Sequence, residues 1–461
     1  MQWTLKFSVG AFMAASAIAG PASPNVFEHA AMNSKMTFVK NSGICETTPG
    51  VNQYSGYITA GDDLNMWFWF FEARENPQEA PLMAFFGGGP GDASEFGLFT
   101  QNGPCNFVDN ETEPSVNPNS YNNYANMLYI DQPVGVGFTY GNATINSTGE
   151  AAPYVWKLLQ AFYQKFPEYE SRDFGILTES YGGHYGPEFA RYIIAQNQAI
   201  GRGDISGEVI HMRFLSISNG WFDAKIQEKA NIEYLYNNSY RRLINESFHD
   251  ELINRFDTKC AALLDKCIAT NTNEDCATAW KSYTNEIEYP VVALLNENQP
   301  GFFLGDIRDP SSRPSDAYSA YLQRPEIQRA LGARVNFTTR SGQAGFYLGG
   351  DDARSFMDQL STVIQAGVRV VIWTGDADYV SNWFGTTKVA DTIEWAKQET
   401  FANQPMVPYT LNGEQKGTYK SLDNLISMRI FGAGHNTAFY QPELSLQIFK
   451  QTIGASGVVP T

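Results

Sequence analysis

The sequence predicts an α/β fold built on a mainly parallel sheet flanked by helices. Three observations carry this reading. Short β-rich runs end in turn signals, helical patterns lie between them, and a glycine cluster and a serine turn each follow directly on a strand. The runs are Met66–Phe71, Leu82–Phe86, Met127–Ile130, Phe174–Thr178, Phe214–Ser218 and Val368–Thr374, and the helical patterns include Tyr154–Phe166 and Tyr181–Gln196. With 461 residues, 43% of them hydrophobic, the chain can bury one large core. Residues 221–345 read differently: clustered cysteines, three N-x-S/T sites and irregular polarity mark an insertion over the edge of the sheet.

The first residues look like an export signal. One positive charge precedes the apolar run Phe7 to Ile18, and Ala17-Ile18-Ala19 fits a small-residue cleavage site. Residues 1–19 are therefore expected to be a signal peptide, and 20–461 one catalytic domain. N-linked glycans are expected at Asn110, Asn142, Asn146, Asn237, Asn245 and Asn336, each in an N-x-S/T triplet. No later run is long and apolar enough to span a bilayer. A net charge of -17, with no Lys/Arg-rich stretch, argues against nucleic acid as a partner. The five cysteines (Cys45, Cys105, Cys260, Cys267, Cys276) are expected to pair and leave one over. Zinc is excluded for the last three, which lack a C-x-x-C spacing and a nearby histidine.

The chemistry lies at strand ends. Phe174-Gly175-Ile176-Leu177-Thr178-Glu179-Ser180-Tyr181-Gly182-Gly183-His184 runs from a strand through Ser180 into a helix. That is the context of a nucleophile elbow, although Thr178 stands where G-x-S-x-G has its first glycine. An ordinary strand-to-helix connection capped by Ser180 is the plain alternative. Histidines are few. His184 follows Ser180 on the same helix and cannot reach over the turn, and His29, His211 and His249 have no suitable setting. His435, in the glycine-flanked loop after the apolar strand Ile426–Phe431, is the candidate base. Between them, Val370–Gly375 ends in Asp376 and Asp378, and Asp378 lies further out, where a loop meets the histidine. Too few oxygen ligands are present for a calcium loop. Upstream, Gly87-Gly88-Gly89-Pro90-Gly91 is followed by Asp92-Ala93, not by the Lys-Ser/Thr of a phosphate loop. Its expected role is an oxyanion hole, with one N–H from Gly89 and one from Tyr181.

These residues resemble the serine carboxypeptidases, α/β-hydrolases that release C-terminal amino acids, and within them the fungal carboxypeptidase S1-like branch. The likeness covers nearly the whole mature chain. It rests on Gly88-Gly89-Pro90-Gly91, Asp131-Gln132-Pro133-Val134-Gly135-Val136-Gly137-Phe138, Glu179-Ser180-Tyr181-Gly182-Gly183-His184-Tyr185, Gly375-Asp376-Ala377-Asp378 with Asn382, and Gly432-Ala433-Gly434-His435 with Gln441-Pro442-Glu443. The resemblance implies a catalytic triad of Ser180, Asp378 and His435. It also implies a clamp on the substrate's terminal carboxylate built from positions 87, 88, 101 and 179. It implies no metal or organic cofactor.

Two clamp positions depart from the family. Gly87 replaces an asparagine and Gln101 replaces the glutamate that shares a proton with Glu179. A glutamine amide donating to Glu179 is expected to favour its ionised form, which repels a carboxylate. The usual cysteine after the glycine motif is Asp92, so a disulfide anchoring that loop is expected to be absent. The expected function is a secreted or vacuolar serine carboxypeptidase acting on peptides. An acyltransferase or esterase taking a small acyl donor, and an inactive binding relative, are the alternatives.

Overall fold

The computed structural model describes residues 25–29, 34–60, 63–108 and 111–461; the expected signal peptide and Asn110 lie outside them. The strands are β1 (Asn25–His29), β2 (Ser34–Lys40), β3 (Gln53–Thr59), β4 (Leu64–Phe71), β5 (Leu82–Phe86), β6 (Cys105–Asn106), β7 (Ser115–Val116) and β8 (Asn126–Ile130). They continue as β9 (Tyr140–Gly141), β10 (Phe174–Glu179), β11 (Met212–Ser218), β12 (Arg369–Gly375), β13 (Val407–Leu411), β14 (Glu414–Leu422) and β15 (Leu425–Ile430). One sheet runs β1-β2-β3-β4-β8-β5-β10-β11-β12-β15-β14-β13, with β9 on β4, while β6 and β7 form a separate hairpin. From β8 to β15 the neighbours are parallel, and both margins are antiparallel.

The central strands are buried on both faces, which is why they read as continuous apolar runs. Phe68 and Phe70 of β4, Ala84 and Phe86 of β5, Ile176 of β10 and Ile372 of β12 point into one core. That core is covered by helices Thr148–Lys165 and Gly182–Arg202. Trp67 and Trp69, Met83 and Phe85, Tyr129 and Leu177 point the other way. Val371 and Trp373 of β12 fill a third cluster, beneath helix Pro442–Ile453.

The insertion leaves from a different place than the sequence suggests. It departs between β11 and β12, which are paired neighbours in the middle of the sheet, not at its edge. Helices Ala224–Asn237, Glu246–Arg255, Ala261–Thr270, Asn273–Tyr283 and Tyr289–Asn298 follow one another there. A chain that leaves the carboxyl end of a central parallel strand emerges over the functional end of the sheet. Among the described residues no helix is long and apolar enough to cross a membrane.

Two disulfides form, Cys45–Cys105 and Cys267–Cys276, and Cys260 is free and buried. The first closes a span of 60 residues just beyond the turn Leu98–Asn102 that carries Gln101. Replacing Cys45 and Cys105 together by serine is expected to lower unfolding free energy by about 4 kcal/mol, the loop-closure value for such a span. Denaturant titration of both proteins checks this; an unchanged midpoint would show that the strap contributes nothing.

Candidate active site

The parallel strands deliver the candidate residues to one end of the sheet. β5 runs into the glycine loop, β10 into Ser180, β12 into Asp378, and β15 into His435. Ser180 has a φ of 57°, a left-handed conformation unusual for a side-chain-bearing residue. Its N–H donates to Ser218 O (3.0 Å), and its carbonyl accepts from Trp221 N (2.8 Å) and Gly183 N (2.9 Å). The turn closes because its neighbours carry no Cβ. A Cβ on Gly88 would stand 2.7 Å from Ser180 Cβ, and one on Gly183 would stand 2.3 Å from Trp221 O. Thr178 also finds its explanation here. A Cβ on Gly182 would lie 2.3 Å from Thr178 Cβ, and Thr178 Oγ1 donates to Gly182 O at 3.0 Å. One glycine suffices where the short motif has two.

His435 Nδ1 is 2.8 Å from Asp378 Oδ2. Asp378 is fully buried and also receives Asn219 Nδ2 (2.8 Å), Val380 N (2.9 Å) and Ser381 N (3.1 Å). With Nδ1–H donated to the carboxylate, the lone pair of the imidazole sits on Nε2. Asp376 is engaged elsewhere, with Tyr240 Oη (2.5 Å), Arg429 Nη2 (3.2 Å) and Gly432 N (3.0 Å). His184 is buried between two backbone carbonyls, Trp221 O and Asp351 O, and burial lowers its pKa to about 4. It serves as a strut.

The glycine loop is fastened on several sides. Gly87 N donates to Ser94 Oγ (3.1 Å), Gly91 N to Tyr185 Oη (3.2 Å) and Ser341 N to Gly91 O (3.0 Å). Asp131, the first residue of the D-Q-P-V-G-V-G-F stretch, accepts from Ser94 N and Phe138 N and so ties the loop to β8. Where a family disulfide is expected to be missing, Asp92 and Arg340 form an ion pair (Nη2 to Oδ2, 2.8 Å) beside a backbone bridge. Neither Gly89 N–H nor Tyr181 N–H has a partner among the described residues, so both donors remain available.

The clamp positions also meet. Gln101 Nε2 donates to Glu179 Oε2 at 2.6 Å, and Asn436 Nδ2 lies 3.5 Å from the same oxygen. Burial nevertheless dominates: it raises the Glu179 pKa against the lowering effect of Gln101, the charge of His435 and Asn436. The expected donation from Gln101 is present and favours the ionised form, but burial is the larger effect and the net direction is upward. Gly87 is tightly enclosed, since a Cβ there would lie 2.7 Å from Asp92 O. Asn219 and Asn436 are the two residues the sequence did not flag. Their only signal is adjacency to a strand end and to His435.

Of the glycosylation positions, Asn142, Asn237, Asn245 and Asn336 are exposed and Asn146 is half-buried.

A doubly covered, mainly parallel sheet with these residues at its carboxyl end defines an α/β-hydrolase. The comparisons narrow this further. The serine carboxypeptidase family profile matches residues 43–455. Carboxypeptidase S1 of Penicillium janthinellum is 50% identical over 420 residues, covering 90% of this chain and 98% of that protein. Carboxypeptidase Y of Schizosaccharomyces pombe is 32% identical over 421 residues, covering 88% of this chain and 41% of that one. In three dimensions the chain is similar to a prohormone-processing carboxypeptidase of Saccharomyces cerevisiae. The TM-score is 0.74 at 20% identity, over 88% of this chain and 93% of the other. The chain belongs to the serine carboxypeptidase family.

His435 and Glu179 influence each other. Burial disfavours the charged imidazole, but the charge and hydrogen bond of Asp378, with Glu179 and Asp92 behind, raise its pKa overall. A base must be neutral, so with His435 as the candidate base activity is expected to be lost as pH falls through that raised value. Glu179→Gln removes one of the charges that raises it. On a blocked ester without a free carboxylate, the acid limb of kcat/KM should therefore move to lower pH. A limb that stays in place would show that Glu179 does not act on the imidazole.

Proposed function

We propose that this serine carboxypeptidase works through an acyl-enzyme formed on Ser180, with peptides as substrates. The observation that carries the reading is the 2.8 Å hydrogen bond between His435 Nδ1 and the buried Asp378, at the same end of the sheet as a serine held in a left-handed turn. The Ser180 hydroxyl attacks the scissile carbonyl carbon while His435 Nε2 takes its proton. Asp378 orients the ring and stabilises the imidazolium. The Gly89 and Tyr181 N–H groups receive the oxyanion, each worth on the order of 3 kcal/mol. His435 then returns the proton to the leaving amine. Water, deprotonated by the same imidazole, hydrolyses the ester.

Recognition of the free C-terminus falls to the Glu179 region. A protonated Glu179, which its raised pKa favours, donates a hydrogen bond to a substrate carboxylate, and Gly88 N–H and Asn436 stand nearby. Residues 1–19 direct the chain out of the cytosol, residues 20–461 form the catalytic domain, and 221–345 cap it. The two disulfides and the exposed N-x-S/T sites fit an extracellular or vacuolar destination.

Gly87 and Gln101 favour a second reading, in which the same machinery transfers or hydrolyses acyl groups without reading a carboxylate. One experiment separates the two. A blocked dipeptide is offered as free acid and as C-terminal amide from about pH 4 to 8, a range bracketing carboxylate and imidazole titration. Strong preference for the acid is expected, declining as pH rises through the Glu179 pKa. Ser180→Ala should lower kcat by a factor on the order of 10⁶. Equal or faster turnover of the amide would transfer the protein to the second reading.

A further inference from the structure

Asn219 follows the last residue of β11 and is fully buried, with a left-handed φ of 46°. Its side chain is bonded at both ends. Nδ2 donates to Asp378 Oδ2 at 2.8 Å, the oxygen that also lies 2.8 Å from His435 Nδ1. Oδ1 accepts from Thr437 Oγ1 (2.6 Å), Ser218 Oγ (3.1 Å) and, more distantly, Gly375 N (3.4 Å). These partners fix which way the amide faces, since a carboxylate can only accept and a backbone N–H can only donate. Thr437 lies two residues beyond His435 and is itself fully buried, and Gly375 closes β12 three residues before Asp378. On the backbone, Asn219 N donates to Trp373 O (2.9 Å), and Ser218 O accepts from Ser180 N (3.0 Å). The Ser218–Asn219 corner therefore meets all three segments that carry Ser180, Asp378 and His435.

We propose that Asn219 is a positioning residue for the triad, joining Asp378 to the His435 loop so that carboxylate and imidazole are held as one unit. The inference rests on the triad reading above. Through Asn219, two hydrogen bonds link the Thr437 hydroxyl to the carboxylate that orients the ring. Buried networks of this kind couple strongly, because a group that loses its partner inside the protein is left unsatisfied. The bond from Nδ2 also spreads the negative charge on Oδ2. Without it that charge faces the imidazolium undiminished, and His435 holds its proton more tightly. The other groups facing this site are untouched by a change at position 219. Glu179 and Asp92 act on His435 from the nucleophile strand and the glycine loop. Tyr234 and Tyr440 face Asp378, and burial raises both phenols. Asp306 with Arg308, and Asp376 with Arg429, are ion pairs on the adjoining loops.

Asn219→Gly removes the side chain without straining the backbone, because glycine accepts a positive φ. Hydrolysis of a blocked ester without a free carboxylate is measured per active site, titrated with a serine-directed phosphonate, which cancels any loss of folded protein. In Asn219→Gly, kcat per site should fall by about tenfold or more with KM little changed. The acid limb of kcat/KM should move to higher pH, opposite to the shift expected for Glu179→Gln. Thr437→Val should lower kcat in the same way and Thr437→Ser less. The double variant Asn219→Gly/Thr437→Val should lose no more than Asn219→Gly alone. An unmoved kcat and acid limb in Asn219→Gly would overturn the proposal, as would additive losses in the double variant. If the glycine variant does not fold, the Thr437 pair decides: valine slower than serine sustains the link, and equal rates end it. If Ser180→Ala hydrolyses the ester as fast as the parent, the triad reading fails. NMR titration of the His435 ring then decides the role of Asn219: a raised pKa in Asn219→Gly sustains it, and an unchanged one ends it.

Discussion

Ser180 holds a φ of 57°, and the backbone around it stays there because Gly88, Gly182 and Gly183 leave no Cβ in the way. A left-handed non-glycine residue is strained by itself, and surrounding structure must over-determine it. Here Ser218, Trp221 and Gly183 do so through three backbone hydrogen bonds. Ser180, Tyr181 and Gly89, the last brought by the glycine loop after β5, line the same cavity. Parallel strand order supplies the rest. Because β5, β10, β11, β12 and β15 are consecutive parallel neighbours, the turns at their carboxyl ends fall side by side, although the chain makes a long helical excursion between β11 and β12.

Electrostatically the site is a compromise between two acids and one base. Asp378 is saturated with donors and its position is fixed. Glu179 has one strong donor, Gln101, and its burial keeps the proton affinity high. Its neighbour Asn436 adjoins His435 in the chain, so the candidate carboxylate-binding group and the candidate base are linked through one short segment. Replacing a glutamate by Gln101 thus changes the partner of Glu179 without exposing it to water. It is the exclusion of solvent, more than the identity of residue 101, that sets the protonation of this carboxyl.

Much of this was legible in the sequence, for specific reasons. Strands such as Leu82–Phe86 and Phe174–Glu179 are buried on both faces, so their composition is unbroken and easily read. The marginal strands β13 and β14 mix exposed and buried residues and gave no comparable signal. Helix Thr148–Lys165 begins earlier than its apolar pattern, because Ser147 caps it and Pro153 disguises the first turns. The insertion was misplaced because chain order does not reveal that β11 and β12 are adjacent. The contact between positions 101 and 179 came from resemblance alone. Asn219, which holds Asp378 from the neighbouring strand end, depends on sheet order and was invisible in one dimension.

The fastening of the glycine loop through Asp92 and Arg340 has a further consequence. Neither disulfide lies in that loop, so its shape is indifferent to thiol–disulfide exchange. The Asp92–Arg340 pair is weakened by salt, since Arg340 is more than half exposed, whereas the buried bonds from Gly87 N and Gly91 N are not. The hydrogen bonds and ion pair that shape the glycine loop therefore involve no sulfur, and reduction of either disulfide breaks none of them directly.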